Sequence, residues 1–402
     1  MNVVTDKAKI NEVLTRAVEK IYPSKEAFEK ELLSGRRLRI YHGVDPTGPH
    51  LHLGHLTNLL VLRRLQELGH EIIFLIGDFT ARIGDPTDKL SPRQPLSKEE
   101  VMANLATFKK QASRIIKFSG ENRAQIQFNS KWFTKMKFEE VIEIARHLTV
   151  QQMLGRDMFE KRMQEGKPIG FNEFFYPLMQ GYDSVALCVD MEIGGTDQTF
   201  NMLVGRDLLK IYKGKEKFVI TTKLLEDPAT GKKLMNKSEG GLVNLDDEPE
   251  EMLGKMMALP DAAIGSLAEF SSDLPMEEVE KLRVLAGSKP RDAKLKVAEA
   301  IVATVRNKTA GKKAKQAFIK VFSEKQKPEE ILVVSVGVPE MPLVDLLVAA
   351  QLAPSKSEAR RLIEQGAVRI NDVKKTDPFE IISISSEVLL QVGPRRFARI
   401  RQ

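Results

Sequence analysis

The sequence contains one cysteine, one tryptophan and five tyrosines among 402 residues. A single cysteine excludes an intramolecular disulfide and any metal site built from several thiolates. Its apolar surroundings, VALCVD, predict that Cys188 is a small buried side chain of the core. No apolar run reaches the roughly 18 residues that a membrane-spanning helix requires, and the first residues, MNVVTDKAKINEVL, lack the apolar stretch of a signal peptide. We therefore expect a cytoplasmic protein without a membrane partner.

Positive charge is concentrated in one segment of the chain. The net charge is +7 and the pI is about 9.2, values that permit a polyanionic partner without requiring one. Residues 290–325 hold ten Lys or Arg against three acids, a surplus of seven that equals the surplus of the whole chain. Such a run is usually a solvated helix face, but its concentration in one place favours contact with phosphates.

The order of predicted elements divides the chain into several parts. At 402 residues and 45.2 kDa the chain exceeds the usual size of a single core. Short β-rich runs alternate with helical stretches from Arg37 to Thr222, which predicts an α/β fold with a doubly wound parallel sheet. Only amphipathic helices are predicted after it, until three prolines in KQKPEEILVVSVGVPEMP indicate a linker. The predicted parts are an α/β domain at 1–245, a helical domain at 246–327, a linker at 328–341 and a small αβ domain at 342–402.

Two imidazoles and a glycine stand at the start of a predicted helix. The strand RIYHGVDPTG leads into HLGH at 52–55, directly before an apolar helical stretch. Unpaired N–H groups and the positive end of the helix dipole attract phosphate at such a place, and Gly54 allows close approach. His52 and His55 would add hydrogen-bond donors to the phosphate oxygens. Such a segment could instead be a metal pair or simply cap the helix. Four of the six histidines cluster here, but no further His or Cys group lies at ligand spacing, which argues against a metal pair.

A lysine-rich loop bounded by glycines follows the last predicted strand of the sheet. GKKLMNKSEGG at 231–241 is suited to close over a triphosphate as pyrophosphate departs, although alone such a loop is more often a solvated turn. HLGH and this loop, about 180 residues apart, resemble the HIGH and KMSKS motifs of class I aminoacyl-tRNA synthetases. With the signature YHGVDPTGPHLHLGH, the chain is identified as a member of the tyrosyl-tRNA synthetase family over nearly its whole length.

The lysine loop departs from the family pattern at one position. Leu234 stands where the family has its first lysine, whereas Lys237 and Ser238 match the end of the motif. The resemblance assigns Lys237 and Ser238 to ATP. The sequence leaves open which of Lys232, Lys233 and Lys237 contacts the phosphates.

One predicted helix carries the residue types that a tyrosine pocket needs. YPLMQGYDSVAL places Tyr176, Gln180 and Asp183 at spacings of four and three, on one helix face. A carboxylate there can accept a phenolic O–H while Tyr41, on the first predicted strand, shares the same oxygen. The resemblance assigns Tyr41 and Asp183 to the hydroxyl of the tyrosine substrate. It assigns the other tyrosine contacts to Asp78, Tyr176 and Gln180 at the α-amino group and to Gln198. Asp78 could instead cap a turn or helix in DFTARIGDP.

A third patch, GGTDQ at 194–198, follows the predicted strand CVDMEI. Two glycines permit close backbone approach, and Asp197 is placed to bind a ribose as acidic residues do in dinucleotide folds, unless it caps the helix that follows. The resemblance gives Asp197 to the ribose of ATP and puts Asp45 and Thr47 near the nucleotide. The implied ATP-binding set is Gly43, Asp45, His52, Gly54, His55, Gly195, Asp197, Lys237 and Ser238. The implied catalytic residues are His52, His55, Lys237 and Thr47.

The segment SKSEARRLIEQGAVRINDVKK resembles a small RNA-binding module shared by a ribosomal protein, pseudouridine synthases and bacterial tyrosyl-tRNA synthetases. Lys356, Arg360 and Arg361 lie on or beside one predicted helix, and the following turn presents Arg369. Backbone phosphates of RNA are the natural target of such cations. A solvated helix would have a similar sequence.

The resemblance implies a Rossmann-like core that joins tyrosine to tRNA in two steps. The tyrosine carboxylate attacks the α-phosphorus of ATP, giving tyrosyl-adenylate and pyrophosphate; the terminal adenosine of the tRNA for tyrosine then takes the tyrosine and releases AMP. Mg²⁺ is expected with the nucleotide phosphates, without a dedicated metal site in the protein. The helical domain would contact the anticodon arm. Family members form homodimers, and residues 130–165 are the candidate interface.

Two other functions are compatible with parts of this pattern. A tryptophanyl-type synthetase shares the class I core, but it would not need Tyr41 and Asp183 and lacks the RNA-binding tail. A synthetase-like protein that only binds RNA, without ligase activity, is the second alternative. The presence of HLGH together with Asp78, Asp183 and Asp197 argues against it.

Overall fold

The computed structural model of the protein describes residues 2–87, 96–235, 242–323, 331–384, 387–393 and 396–402. The chain forms two compact units, Met1–Gly311 and Lys312–Gln402. The first unit contains the whole predicted α/β domain and most of the predicted helical domain. The boundaries predicted at 245, 327 and 341 are not tested by this division and stay predictions.

A mostly parallel sheet forms the centre of the first unit. Its strands are β1 (Val18–Tyr22), β2 (Arg39–Val44), β3 (Glu71–Ile76), β4 (Gln125–Phe128), β5 (Met191–Gly195) and β6 (Phe218–Thr222). They lie in the order β1-β6-β5-β2-β3-β4, and only β1 pairs antiparallel, with β6. The chain runs outward from β2 through β3 to β4 and, on the other side, from β5 to β6. This order confirms the predicted doubly wound parallel sheet.

The edge strand β1 is absent from the sequence prediction. Its sequence, VEKIY, holds two charged residues among five, and only Ile21 of the strand is buried. Strands β2, β3, β5 and β6 are mostly apolar and mostly buried, which is typical of parallel strands covered on both faces, whereas β4 (QIQF) is the other edge strand and has no buried residue. The charged strand β1 lacks an apolar signal, which explains why the prediction missed it.

Helices connect these strands. In the α/β part they are α1 (Lys7–Thr15), α2 (Lys25–Leu33), α3 (Leu53–Glu67), α4 (Lys98–Leu105), α5 (Phe108–Ala112), α6 (Ser130–Phe133), α7 (Phe138–Ala145), α8 (Val150–Leu154), α9 (Asp157–Gln164), α10 (Phe175–Leu187) and α11 (Thr199–Lys213). The helical segment that follows contains α12 (Pro249–Met257), α13 (Ile264–Ser271), α14 (Met276–Ser288), α15 (Pro290–Val305) and α16 (Lys308–Ser323). Among the helices of the described residues, none has the length and apolar character needed to cross a bilayer.

Two glycines bring α10 and α11 into close contact. A Cβ on Gly205 of α11 would lie 3.3 Å from the Cα of Gly181 of α10, and 2.7 Å from both Lys217 Nζ and Ser184 Oγ. Only a residue without a side chain leaves room for this approach. The contact holds Ser184 of α10 at 2.8 Å from Lys217 Nζ.

After the end of α16, the second unit is built on a small, mostly antiparallel sheet and two further helices. Its elements are β7 (Leu332–Ser335), β8 (Glu340–Pro342), α17 (Leu343–Ala349), α18 (Lys356–Glu364), β9 (Val368–Ile370), β10 (Val373–Lys375), β11 (Ile381–Ser383), β12 (Val388–Val392) and β13 (Arg396–Arg401). Five strands lie in the order β10-β9-β12-β13-β7, and β11 pairs with β8. The only parallel pair among the described strands of this unit joins β13 to β7. Its core includes Leu346, Ile363 and Leu390, all fully buried.

A strand, β7, lies within the residues 328–341 predicted as a linker: Val334 and Val336 pack against the core of the second unit, and Leu332 pairs with Ala398. One sequence prediction needs correction. Cys188 is exposed rather than buried. It ends α10 in the left-handed conformation, with φ of 50°, and this turn directs its side chain away from the core that Leu187 and Val189 enter.

Two Gly→Ala substitutions should have opposite effects on the free energy of unfolding, because one glycine lies in the contact of α10 with α11 and the other faces open space. Gly205→Ala should destabilise the first unit by about 1–3 kcal/mol, because its methyl group would overlap Lys217 and Ser184. Gly287→Ala in α14 meets no atom within 4 Å and should stabilise by up to about 1 kcal/mol through helix propensity. Urea unfolding followed by the fluorescence of Trp132, the one tryptophan, measures both. Equal stabilities of the two variants would contradict the packing described here.

Candidate active site

The predicted site residues lie at the carboxyl ends of the parallel strands, beside the point where the strand order reverses. Asp45 follows β2, Asp78 follows β3, and Asp197 follows β5. Strands β2 and β5 are neighbours there, with Tyr41 opposite Glu192. In open α/β sheets this position is where ligands bind.

The HLGH segment forms the first turn of α3 and its cap. His52 is the N-cap residue, and its Nδ1 accepts the Gly54 N–H at 3.2 Å. The Nδ1 of His55 accepts the His52 N–H at 3.1 Å. Because Nδ1 of each ring is an acceptor, a neutral ring carries its proton on Nε2, which makes both Nε2 atoms donors. Two donors thus accompany the positive end of the helix dipole, as an anion site requires.

The lysine loop approaches the same helix end. Met235, the last residue described before the gap at 236–241, lies with its Cβ 3.9 Å from where a Cβ on Gly54 would be. After the gap, Val243 accepts the Leu53 N–H at 3.1 Å through its carbonyl oxygen. The two signatures therefore meet in space. Lys237 and Ser238 lie outside the described residues, so their assignments stay predictions.

Lys233 contacts the carboxylate predicted to bind the ribose. Its Nζ lies 2.7 Å from Asp197 Oδ2, and its side chain is about one-third exposed. A Cβ on Gly195 would lie 2.5 Å from Asp197 Oδ1, so the glycine leaves room for this carboxylate. The α11 helix begins without a side-chain cap from Asp197 or its neighbours, which argues against the capping alternative.

Asp45 joins the nucleotide signature to the amino-acid face of α10. Its Oδ2 accepts the Tyr176 hydroxyl at 2.9 Å and its Oδ1 accepts the Thr80 hydroxyl at 2.7 Å. Burial, and then the charges of Asp45 and Asp85, raise the pKa of Tyr176 well above its ordinary value. Tyr176 therefore remains a hydroxyl donor at neutral pH. Thr47 lies in the loop after Asp45, to whose carbonyl oxygen its own N–H is bonded at 2.8 Å, and Gly43 lies in β2.

Asp183 is held by two donors at the bottom of the site. Trp132 Nε1 donates to its Oδ1 at 2.9 Å, and Asn129 Nδ2 lies 3.4 Å from its Oδ2. Burial raises the pKa of Asp183 well above its ordinary value, and these two hydrogen bonds oppose that rise. A carboxylate of raised proton affinity is a strong acceptor for a phenolic O–H.

The two predicted glutamine ligands share a partner. Asn201 Nδ2 donates to Gln180 Oε1 and to Gln198 Oε1, each at 3.0 Å. Gln198 Nε2 also donates to Asp85 Oδ2 at 2.7 Å. Neither Asn201 nor Asp85 is in the predicted set. Asn201 shares its amide between both glutamines and so holds them in one arrangement.

Asp78 does not cap the short helix that follows it in DFTARIGDP, because the turn Thr80–Arg82 begins without a side-chain cap; the contact of Asp78 is with a distant helix. Its Oδ1 accepts the Ser130 N–H at 2.9 Å, at the start of α6. One carboxylate oxygen is thereby used at the helix start. The role of the other oxygen toward an ammonium group stays a prediction.

The sequence prediction missed a buried polar cluster beneath Tyr41. The Tyr41 hydroxyl lies 3.1 Å from Ser184 Oγ, and Lys217 and Glu192 complete the cluster. Glu192 had a visible signal, because it is a single charge inside the otherwise apolar strand MEIGG. Lys217 had none, since a lysine before a strand is ordinarily solvent-exposed.

In the second unit, the four predicted RNA-binding cations are exposed on or near α18. Lys356 pairs with Asp345 at 2.6 Å, and Arg361 pairs with Glu358 at 2.6 Å. Arg360 lies over the ring of Phe379, 5.2 Å from its centroid, and Arg369 donates to a backbone carbonyl. Surface pairs of this kind contribute little stability and can be exchanged for phosphate contacts.

Comparison with known families covers most of the chain. A family model described as tRNA synthetases class I (W and Y) matches residues 33–323, and one described as the tyrosine–tRNA ligase SYY-like C-terminal domain matches residues 324–388. The tyrosine–tRNA ligase of Moorella thermoacetica is 43% identical over 394 residues, which cover 96% of this chain and 94% of that protein. That of Thermotoga maritima is 42% identical over 391 residues, with 96% of each covered.

Solved structures share the fold. A C-terminally truncated mitochondrial tyrosyl-tRNA synthetase from Aspergillus nidulans superposes with a TM-score of 0.65 at 24% identity, covering 79% of this chain and 95% of that one. The synthetase from Archaeoglobus fulgidus, complexed with L-tyrosine, gives 0.60 at 23% identity, covering 77% and 100%. Identities this low support the fold alone. The family models and the close relatives go further: this chain belongs to the tyrosine–tRNA ligase family of class I aminoacyl-tRNA synthetases.

Proposed function

We propose that the first unit activates tyrosine with ATP at the edge described above and that the tyrosine then passes to tRNA. The observation that carries the proposal is the hydrogen bond between Tyr176 and Asp45. It joins the amino-acid face of α10 to the nucleotide signature after β2. The carboxylate of a tyrosine substrate bound among these residues would lie beside a nucleotide held at the start of α3.

The proposed first step is an in-line displacement at phosphorus. An oxygen of the tyrosine carboxylate attacks the α-phosphorus of ATP, the bond to the β-phosphate oxygen breaks, and pyrophosphate leaves with its Mg²⁺. His52 and His55 donate through Nε2 to oxygens on which charge develops, and Lys237 is assigned the same task on sequence grounds. These donors accelerate the step to the extent that they bind the transition state more tightly than the ground state.

Recognition of tyrosine is proposed to use both ends of the substrate. Tyr41 and Asp183 bind the phenolic hydroxyl, the first as donor and the second as acceptor. Asp78, Tyr176 and Gln180 bind the ammonium group, and Gln198 binds the tyrosyl end of the adenylate. The ribose binds Asp197, a contact that requires Lys233 to yield its place on that carboxylate.

The proposed second step uses the tRNA. A hydroxyl of its terminal adenosine attacks the acyl carbon of the adenylate, and AMP leaves. The helical segment contacts the anticodon arm, and the cations on α18 and Arg369 of β9 bind the RNA backbone. We place this reaction in the cytoplasm, as predicted from the sequence.

Amino-acid-dependent exchange of pyrophosphate into ATP tests the proposed function. We expect exchange with tyrosine, and Tyr41→Phe should lower the ratio of kcat/KM for tyrosine over phenylalanine by about tenfold, the scale of one hydrogen bond to the substrate. Exchange with tryptophan alone would favour the tryptophanyl alternative. Absence of exchange with any amino acid would favour the protein that only binds RNA.

The RNA-binding tail predicts a separate effect on tRNA. The double variant Arg360→Ala/Arg369→Ala should raise the KM for tRNA about tenfold and leave pyrophosphate exchange unchanged. In a plot of the logarithm of the tRNA binding constant against the logarithm of salt concentration, the slope should become less steep by about one for each cation removed. Lys25→Ala, which removes an exposed cation of the first unit, is the control. A double variant that charges tRNA like wild type at every salt concentration would refute the assignment.

We also propose that the chain forms a homodimer through the segment 130–165. Large apolar side chains are exposed there and just beyond it: Phe138, Ile142, Val150, Met163 and Phe171. Phe138 is 77% exposed, and several large apolar side chains exposed along one segment indicate an interaction site.

Charge placed on this surface should separate the subunits. We expect sedimentation at twice the 45.2 kDa chain mass for wild type and at a single chain mass for Phe138→Glu/Ile142→Glu. The two carboxylates would be desolvated and unpaired in a buried interface. Val284→Glu, at an equally exposed apolar side chain in α14, should leave the dimer intact. A dimeric double variant would exclude this surface.

A further inference from the structure

A buried ion pair lies directly beneath Tyr41. Lys217, which precedes β6, and Glu192 of β5 have side chains that are 0% and 2% exposed. The ammonium group donates to a Glu192 oxygen and, at 2.8 Å, to Ser184 Oγ. Removing two charges from water is costly, and an apolar pair of similar volume often stabilises a fold as well or better. Stability alone therefore does not account for an ionic pair at this position.

The ion pair of Lys217 and Glu192 determines which hydrogen bonds Ser184 accepts and which it donates. An ammonium group only donates, so Ser184 Oγ accepts from Lys217 and keeps one proton to give. Two acceptors are available, the Tyr41 oxygen at 3.1 Å and a Glu192 oxygen at 3.5 Å. The shorter distance favours Tyr41. When the Tyr41 oxygen accepts the proton of Ser184, the Tyr41 O–H has to donate to a different acceptor.

The surrounding structure keeps this arrangement in place. Gln180 Nε2 donates at 3.1 Å to the Glu192 oxygen that Lys217 does not use. The Lys217 Nζ also lies 6.0 Å from the centroid of the Tyr41 ring. Gly205 leaves the space for the contact, because a Cβ there would lie 2.7 Å from both Lys217 Nζ and Ser184 Oγ.

We propose that Lys217 is a positioning residue that, through Ser184, directs the Tyr41 hydroxyl toward the phenolic oxygen of the substrate. Tyr41 then donates to that oxygen while Asp183 accepts the substrate proton. Tyr41 and Asp183 together satisfy both hydrogen bonds of a phenolic hydroxyl. When phenylalanine is bound instead, both protein groups lack a partner. The inference rests on the proposed role of Tyr41 in binding the substrate hydroxyl.

The test measures pyrophosphate exchange by the full-length Lys217→Met variant with tyrosine and with phenylalanine. The KM for tyrosine should rise, and the ratio of kcat/KM for tyrosine over phenylalanine should fall about five- to tenfold, the scale of one hydrogen bond. The KM for ATP and the kcat/KM for phenylalanine should not change, since neither ligand uses the phenolic contact. Lys215→Met, two residues away and bonded to Asp190 at 3.0 Å, is the matched control and should behave as wild type.

Two further variants keep the inference testable if Lys217→Met leaves Glu192 uncompensated and fails to fold. Lys217→Met/Glu192→Gln removes both charges, and Ser184→Ala removes the connecting hydroxyl; each should lower the same ratio. An unchanged ratio in the folded variants, or parallel losses for tyrosine, phenylalanine and ATP, would overturn the proposal. If Tyr41→Phe lowers the ratio and these variants do not, the proposed function stands and only the role of Lys217 fails. If Tyr41→Phe itself has no effect, the proposed tyrosine pocket fails.

Discussion

The parallel pairing of β2 with β5 is the constraint on which the site depends. These strands are about 150 residues apart in the chain, yet Ile40 lies opposite Met191 and Tyr41 opposite Glu192. Because both strands end at one edge, the start of α3 and the turn after β5 face the same space. The pairing also brings the charge of Glu192 under Tyr41, where Lys217, the residue before β6, pairs with it. Nucleotide and amino-acid contacts thus arise from one strand register.

Helix α10 adds the second half of the site and is positioned by close packing. Gly181 and Gly205 let α10 and α11 approach so closely that a Cβ on either glycine would lie 3.2–3.3 Å from a backbone atom of the other. At that distance Ser184 reaches Lys217, while Tyr176 and Asp183 on the same helix reach Asp45 and Trp132. A larger side chain at either glycine would shift all three polar contacts together. The pocket geometry is therefore coupled to the close packing of α10 on α11.

Sequence patterns predicted the elements whose signal is local and missed those that depend on surroundings. Strands β2, β3, β5 and β6 are mostly apolar, so their burial can be predicted from their own residues, whereas β1 is a polar edge strand defined by its partner β6. Proline spacing suggested a linker through 328–341, but the valines of β7 find a partner in β13. Cys188 has apolar neighbours in sequence and is exposed, because a left-handed residue at the end of α10 turns it outward.

The sequence by itself determined the signatures whose geometry is local. HLGH begins a helix and caps it, and Tyr176, Gln180 and Asp183 share one helix face, because 3.6 residues per turn set both arrangements. Only the tertiary structure decided which charges meet. Lys217 pairs with Glu192 across 25 residues and Lys233 with Asp197 across 36, and neither partner follows from any periodicity. Strand order and helix packing decide those contacts, since a buried charge is stable only where the fold brings it a partner.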